Sequence, residues 1–236
     1  GNLELCQSTL EAILNSGSSN TTTMILARWI RVLNVTYGEV PQPDLSEETA
    51  LRSAGHAQVA GLDEAGRGAW AGPVCAAAVV LPLDLDDLST MLDGVRDSKM
   101  LSAVRRKALL PVIVDVAVAV GVGWGQPAEI DLWGIVPATR LAMGRAVSQL
   151  GNRVDALLID HLRLPGIDLP QNSLPKADAH CLSVAAASVV AKVQRDELMT
   201  ALDDQYPGYG FAQHKGYGTP QHREALGGWG VRLFTG

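Results

Sequence analysis

The segment Val74–Leu81 is an almost continuous run of small and β-branched apolar residues. Such a run is typical of a buried strand. Apolar segments at Gln58–Asp63 and Val154–Asp160 predict two further strands. Helical patterns over Ala138–Leu150 and Leu182–Leu202 can supply the covering layers. We therefore predict an α/β fold in which helices flank a mixed β-sheet.

The N-terminal part of the chain has a different character from the rest. It contains a polar low-complexity run, Ser16–Thr23, between two apolar patches. We predict an N-terminal extension over residues 1–45, whose order the sequence does not decide, and one folded domain over residues 46–236. A short helix, Ser46–Ser53, is expected to open this domain with Ser46 as its cap.

Proline and glycine set the predicted element boundaries in the middle of the chain. Ser102–Leu110 predicts a short helix that stops at Pro111, because proline lacks the N–H that a helix interior needs. The glycine-punctuated segment Val112–Trp124 then predicts a strand.

Composition excludes some classes of protein. Hydrophobic residues make up 47% of the 236, and the formal net charge is only −6, which argues against general disorder. The longest apolar stretches fall well short of the roughly 18 residues of a membrane span. Three cysteines without paired spacing favour a reducing, cytoplasmic compartment. The acidic balance argues mildly against nucleic-acid binding.

Acidic residues interrupt the apolar segments where predicted strands end. Asp63 and Glu64 follow one strand, and Asp160 ends another. Carboxylates brought together at strand ends would repel one another, so a metal ion or a shared proton is expected between them. The alternative is that each acid simply caps a strand at the surface.

Two glycine-containing segments could approach a polymer closely. Gly66-Arg67-Gly68 (the GRG turn) follows the acidic pair, and its arginine could meet a phosphate. Tyr206–Thr219 combines aromatic residues with His214 and Lys215, which suits stacking on sugars or bases. The alternatives are an ordinary tight turn and a glycine-rich surface loop.

Together these motifs resemble the type 2 ribonuclease H family, bacterial ribonuclease HII. The opening signature is VAGLDEAGRGAWAGPVCAAAVV at Val59–Val80. Four blocks follow in family order: Asp97-Ser98-Lys99 with Leu101-Ser102, Leu157–Pro165, Lys176–Asp196 and Tyr206–Thr219. The match covers about residues 46–226. One departure is His161, which replaces a glycine that often follows the third aspartate.

The resemblance implies a ribonuclease H-like fold with a helical C-terminal extension. It implies endonucleolytic cleavage of the RNA strand of RNA–DNA hybrids, and incision 5′ of single ribonucleotides in duplex DNA, leaving 3′-hydroxyl and 5′-phosphate ends. Its catalytic and metal-binding acids correspond to Asp63, Glu64, Asp160 and Asp178. Its junction-reading residues correspond to Gly66, Arg67, Gly68 and Tyr217. Candidate phosphate contacts are Lys99, Arg163, Lys176 and Lys215.

Asp196 competes with Asp178 for the fourth acid position. If Leu182–Leu202 is one helix, Asp196 lies about 20 Å from the start of that helix, so only one of the two can reach Asp63. We choose Asp178, because it precedes the helix, whereas Arg195-Asp196-Glu197 is expected to be a charged surface turn.

The implied mechanism uses two divalent ions, Mg²⁺ or Mn²⁺, about 4 Å apart, one activating water and the other stabilising the departing 3′-oxygen. His214 could assist proton transfer or phosphate contact, or have a structural role. Expected partners are RNA–DNA hybrids and duplex DNA that contains ribonucleotides. We expect a monomer without membrane association, and contact with a replication clamp is possible but not evident.

Two rival functions remain open. One is a catalytically silent nucleic-acid-binding relative, and the other is a different two-metal nuclease or transposase on the same fold. The acidic balance does not exclude nucleic acid, because residues 60–236 carry 16 basic and 19 acidic side chains, and four of those acids are the proposed metal ligands. Arg96–Lys107 adds a local basic footprint of five basic residues against one acid.

Overall fold

A computed structural model describes residues 42–230. Nearly all of the predicted extension over residues 1–45 lies outside the described residues, so the domain division stays a prediction. The sheet has five strands in the order β3-β2-β1-β4-β5. They are β1 (Val59–Ala65), β2 (Val74–Val80), β3 (Ala119–Gly125), β4 (Ala156–Asp160) and β5 (Gln171–Leu174).

The sheet is mixed, which confirms the predicted class. Strands β1, β2 and β3 pair antiparallel, whereas β4 runs parallel to β1 and β5 runs parallel to β4. Every residue of β2 is buried, as its continuous apolar sequence predicts.

Helices cover both faces of the sheet. They are α1 (Ser46–Ser53), α2 (Leu88–Met91), α3 (Ala103–Val116), α4 (Pro127–Trp133), α5 (Ile135–Leu150), α6 (Ala177–His180), α7 (Leu182–Gln205), α8 (Phe211–His214) and α9 (Pro220–Trp229). Apolar residues of α7 pack on one face of β1 and β2, and apolar residues of α5 pack on the other. Helices α8 and α9 form the predicted helical C-terminal part. Within residues 42–230, no helix combines the length and apolarity needed to cross a bilayer.

A glycine in the central strand sets how closely α7 approaches the sheet. A Cβ at Gly61 would overlap the backbone of Ser183 and Val184 at the start of α7. Only a residue without a side chain lets the helix N-terminus lie this close to β1, and the next residue on that face of the strand is Asp63.

The prediction that a helix stops at Pro111 is wrong. Helix α3 continues through Pro111 to Val116, and the strand predicted over Val112–Trp124 begins only at Ala119. The turn after the proline buries Ile113 completely. Burial of such a side chain offsets part of the roughly 3 kcal/mol that an interior proline costs a helix.

The predicted cap of α1 is also wrong, although the helix has its predicted bounds. The Asp44 carboxylate, not Ser46, accepts the first free N–H, from Ser46 at 2.8 Å. Glu48 is buried and accepts hydrogen bonds from both the N–H (2.8 Å) and the hydroxyl (2.6 Å) of Ser183. Helix α1 is thereby tied to the N-terminus of α7.

Candidate active site

The strand register brings two of the predicted acids side by side. Leu62 of β1 pairs with Ile159 of β4 in parallel, so Asp63 and Asp160 are the next residues on adjoining strands. A third acid is tied to this pair, because Asp160 Oδ1 accepts the N–H of Ala177 at 2.9 Å, next to Asp178. Short helix α6 therefore places Asp178 near the carboxyl ends of β1 and β4.

Asp63 lies at the centre of this acidic group and is only 3% exposed. Burial raises its pKa well above the usual range, and the charges of Glu64, Asp178 and Asp160 raise it further. The Glu64 N–H donates to Asp63 Oδ1 at 2.7 Å, which opposes the rise in pKa. A carboxylate in these surroundings is stabilised by a cation or by protonation.

Two basic side chains neutralise part of the acidic charge. Arg67 donates to Glu64 Oε1 at 3.1 Å, and Lys99 Nζ lies 3.3 Å from Asp178 Oδ2. Burial raises the pKa of Glu64 and of Asp178, and these two cations oppose that rise. Partial burial lowers the pKa of Lys99, but Asp178, Asp97 and Asp63 outweigh it and raise the pKa to about 12.

The donor set suits a hard divalent cation, because all four acids offer carboxylate oxygens. Glu64 Oε2 is buried and has no hydrogen-bond partner among the described residues, so it is available as a ligand. Within residues 42–230, no group of three acidic, histidine or cysteine side chains is arranged so that it could hold a metal ion. Arg67, Lys99 and the Ala177 N–H each pair with one carboxylate oxygen, of Glu64, Asp178 and Asp160 respectively.

The two glycines of the GRG turn have different surroundings. Gly66 has φ of +106°, and a Cβ there would overlap the side chain of Arg195. No heavy atom lies within 4 Å of a Cβ built at Gly68, so this side of the turn is open to a ligand. Arg67, a candidate for phosphate contact, forms an ion pair with Glu64.

Tyr217 lies directly against the segment that follows the GRG turn. Ala69 and Tyr217 form an antiparallel bridge, and the N–H groups of Trp70 and Ala71 donate to the Gly216 carbonyl at 2.9 and 3.2 Å. The structure thus brings together the two segments that the sequence analysis assigned to reading the substrate.

Arg195 is a residue of this region that the sequence analysis missed. The segment Arg195–Glu197 is not a surface turn, because it lies inside α7 and Arg195 is completely buried. Helical spacing contains the signal, since Arg195 lies seven residues after buried Ser188 and four before buried Met199, and so shares their face. Asp196 is paired with Lys192 (2.5 Å) and Arg106 (3.3 Å) on a different side of the helix.

The candidate phosphate contacts have different environments. Lys99 contacts Asp178, and Lys176 is exposed two residues before that acid. Arg163 is exposed three residues after Asp160. Lys215 donates to Thr200 Oγ1 and to the Ala212 carbonyl, both at 2.6 Å.

Two histidines near these motifs are explained by backbone geometry. His214 is buried, with one ring nitrogen 2.7 Å from the Tyr209 carbonyl and the other accepting the Gly216 N–H at 3.2 Å, which is a structural role. His161 has φ of +59°, a backbone conformation that glycine adopts without steric cost. This backbone requirement gives a reason for the glycine that the family often has there. The His161 side chain is exposed.

A cavity of about 550 Å³ lies beside the GRG turn rather than at the acids. It is lined by Gly66, Arg67 and Trp70 on one side and by residues of α4 and α9 on the other. None of the four acids lines it. The acids lie instead near the carboxyl ends of β1 and β4 and on α6.

A sequence profile of the family described as Ribonuclease HII matches residues 60–230. The chain belongs to the ribonuclease HII family. Ribonuclease HII of Chloroflexus aggregans is 54% identical over 192 residues, which cover 81% of this chain and 91% of that protein. Ribonuclease HII of Chloroflexus aurantiacus is 53% identical over 188 residues, covering 80% and 89%. The chain is therefore an endoribonuclease that acts on RNA–DNA substrates.

Solved structures support the same fold. Ribonuclease HII of Archaeoglobus fulgidus, solved in complex with PCNA, matches with a TM-score of 0.61 and 28% identity over 73% of this chain and 88% of its own. Ribonuclease H2 of Pyrococcus horikoshii matches with a TM-score of 0.59 and 28% identity over 73% and 86%. Bst-RNase HIII, solved in complex with Mn²⁺, is 22% identical with a TM-score of 0.54 over 72% and 69%, a likeness of fold alone.

Proposed function

We propose that this ribonuclease HII incises duplex DNA on the 5′ side of a single embedded ribonucleotide, and that it also cleaves the RNA strand of RNA–DNA hybrids. In both reactions water oxygen bonds to phosphorus while the bond from phosphorus to the 3′-oxygen breaks. The products carry 3′-hydroxyl and 5′-phosphate ends.

One observation carries this proposal: the four acids lie on β1, on β4 and on α6, beside the GRG turn that follows β1. Asp63 and Glu64 end β1, the turn begins at Gly66, and the bridge from Ala69 brings in Tyr217. A nucleic-acid strand that contacts the turn therefore has its backbone beside the carboxylates.

We assign metal binding to Asp63, Glu64, Asp160 and Asp178. Divalent ions held there, two in our proposal and either Mg²⁺ or Mn²⁺, would supply Lewis-acid stabilisation of the charge that develops on the phosphate. The protein holds the acids in place: Lys99 orients Asp178, and the Ala177 N–H orients Asp160. No side-chain nucleophile is needed for this hydrolysis.

Recognition of the ribonucleotide is assigned to the turn and to Tyr217. Backbone groups of Gly66–Gly68 would hydrogen-bond the 2′-hydroxyl, which distinguishes RNA from DNA, and the open side of Gly68 leaves room for the sugar. The Tyr217 ring would stack on the following deoxyribose, where a second 2′-hydroxyl would crowd it. Lys99, Arg163, Lys176 and Lys215 remain candidates for phosphate contacts.

The experiment compares three duplexes that carry a label at the 5′ end of one strand: all-DNA, DNA with one ribonucleotide, and a uniform RNA–DNA hybrid. The proposal predicts metal-dependent cleavage of the second and third, and no cleavage of the first. Cleavage of all three at similar rates would favour a general two-metal nuclease. Binding without any cleavage would favour a silent nucleic-acid-binding protein.

We also propose three further properties. We expect the protein to be a monomer, which light scattering after size exclusion would test. A cytoplasmic location follows from the cysteine pattern and would be tested by cell fractionation. Contact with a replication clamp, as in the archaeal relative, would be tested by co-elution with the clamp of the same cell.

A further inference from the structure

The side chain of Arg195 is a cation enclosed by backbone carbonyls. All three of its guanidinium nitrogens donate, Nε to Pro73 (2.9 Å), Nη1 to Lys215 (2.8 Å) and Nη2 to Ala71 (3.1 Å). Its relative exposure is 0%. Because the desolvation cost of a buried charge is large, a guanidinium is retained here only with its hydrogen bonds in place.

These carbonyls belong to the two segments that flank the proposed substrate position. Ala71 and Pro73 follow the GRG turn, and Lys215 precedes Tyr217 by two residues. The guanidinium also fills the space that a side chain at Gly66 would occupy. One side chain of α7 thus contacts the turn, the segment after it and the tyrosine loop.

Two cations of the same helix lie near the Tyr217 ring. Arg195 Cζ and Lys192 Nζ are each 5.4 Å from its centroid. Lys192 is held by Asp196, which is in turn paired with Arg106. The ring therefore rests against side chains that are themselves fixed, which restricts its orientation.

We propose that Arg195 is a positioning residue that holds Tyr217 and the GRG turn in one relative orientation, and so determines selectivity for the ribonucleotide–deoxyribonucleotide junction. This inference rests on the proposed function, since it deepens the role of the same site. Arg195 touches neither the acids nor the substrate in this scheme and acts only through the two segments.

The test measures kcat and KM of Arg195→Lys on the single-ribonucleotide duplex and on the uniform hybrid. Misplacement of a substrate-positioning group by about 1 Å can cost 10²-fold, so we expect a loss of about that size in kcat/KM on the junction substrate. The loss on the uniform hybrid should be under about tenfold, because Tyr217 cannot stack there in the same way. Met143→Ala is the control for lost stability, because Met143 is a buried core residue of α5, and it should change kcat/KM on both substrates equally.

A double-mutant cycle with Tyr217→Ala shows whether Arg195 acts through the tyrosine. In the Tyr217→Ala background, Arg195→Lys should cost less than about threefold on the junction substrate. Equal losses in both backgrounds, or equal losses on both substrates, would overturn the inference. If Arg195→Lys does not fold, Arg195→Gln makes the same test, because its amide can still donate to one of the three carbonyls, and the same substrate pattern is expected.

The activity of the wild-type enzyme on both substrates distinguishes a failure of the proposed function from a failure of the inference about Arg195. If it cleaves neither substrate, the proposed function is wrong. If it prefers the junction and the variants keep that preference, only the inference about Arg195 is wrong.

Discussion

Replacing Asp63 with asparagine should stabilise the metal-free protein while removing its activity. Asp63 is buried beside Glu64, Asp160 and Asp178, so its ionised form is desolvated and repelled by like charges. Asparagine has the same shape, and its Oδ1 can still accept the Glu64 N–H. Removing the charge therefore removes a cost without removing the hydrogen bond.

The size of the effect follows from general magnitudes. An imperfectly paired buried polar group costs about 1–3 kcal/mol, and more when it is charged. For a chain of this size, 1 kcal/mol shifts Tm by about 2–4 °C, so Asp63→Asn should raise the Tm of the metal-free protein by about 2–12 °C. Wild type at tenfold Kd of Mg²⁺ should gain about 1.4 kcal/mol, or about 3–6 °C, and the variant should gain little.

Differential scanning calorimetry in EDTA and across a Mg²⁺ titration measures both effects, together with an incision assay. Asp115→Asn is the matched control, because Asp115 is an exposed acid on α3, and its Tm and Mg²⁺ response should equal those of wild type. A variant that is no more stable than wild type in EDTA, yet responds fully to Mg²⁺, would refute the placement of Asp63 in a metal site.

Three other predictions follow from packing, burial and substrate contact. Gly61→Ala should destabilise the fold by about 1–3 kcal/mol, because its methyl group overlaps the α7 backbone at Ser183, and urea unfolding measures this loss. Burial raises the pKa of Glu48, so its contribution to stability is full below the ordinary pKa and is lost as the pH rises through the raised one. At pH 8, Glu48→Gln should therefore have a free energy of unfolding higher than that of wild type by on the order of 1 kcal/mol, with a smaller difference near pH 4, as thermal unfolding at the two pH values would measure. A difference that does not change with pH would contradict the reasoning. Tyr217→Ala should lose more activity on the single-ribonucleotide substrate than Asp196→Ala, and the reverse order would overturn both assignments.

Much of the site could be predicted from local sequence. Strand β2 is uniformly apolar and is buried throughout, and the acids that end β1 and β4 interrupt apolar segments at the point where those strands finish. Local pattern is sufficient here because a strand buried on both faces is apolar over most of its length, so acidic residues near its end are conspicuous.

Other features depend on contacts that are distant in the sequence. The helix continues through Pro111, and burial of Ile113 in the core offsets part of the cost of the proline. Arg195 has the sequence neighbours of an exposed residue, Asp196 and Glu197, and only the carbonyls of Ala71, Pro73 and Lys215 explain its burial. Residues far along the chain supply those partners, so helical spacing can indicate that Arg195 is buried but not which groups it contacts.

The proposed function is incision of a nucleic-acid strand next to a ribonucleotide, by divalent metal that the acids beside the GRG turn hold. Its most direct test maps the cut at single-nucleotide resolution in a duplex with one embedded ribonucleotide, for wild type and Asp63→Asn. We predict one incision on the 5′ side of the ribonucleotide by wild type in Mg²⁺ or Mn²⁺, and none in EDTA or with Asp63→Asn. Incision without metal, by Asp63→Asn, or at a position unrelated to the ribonucleotide would contradict it.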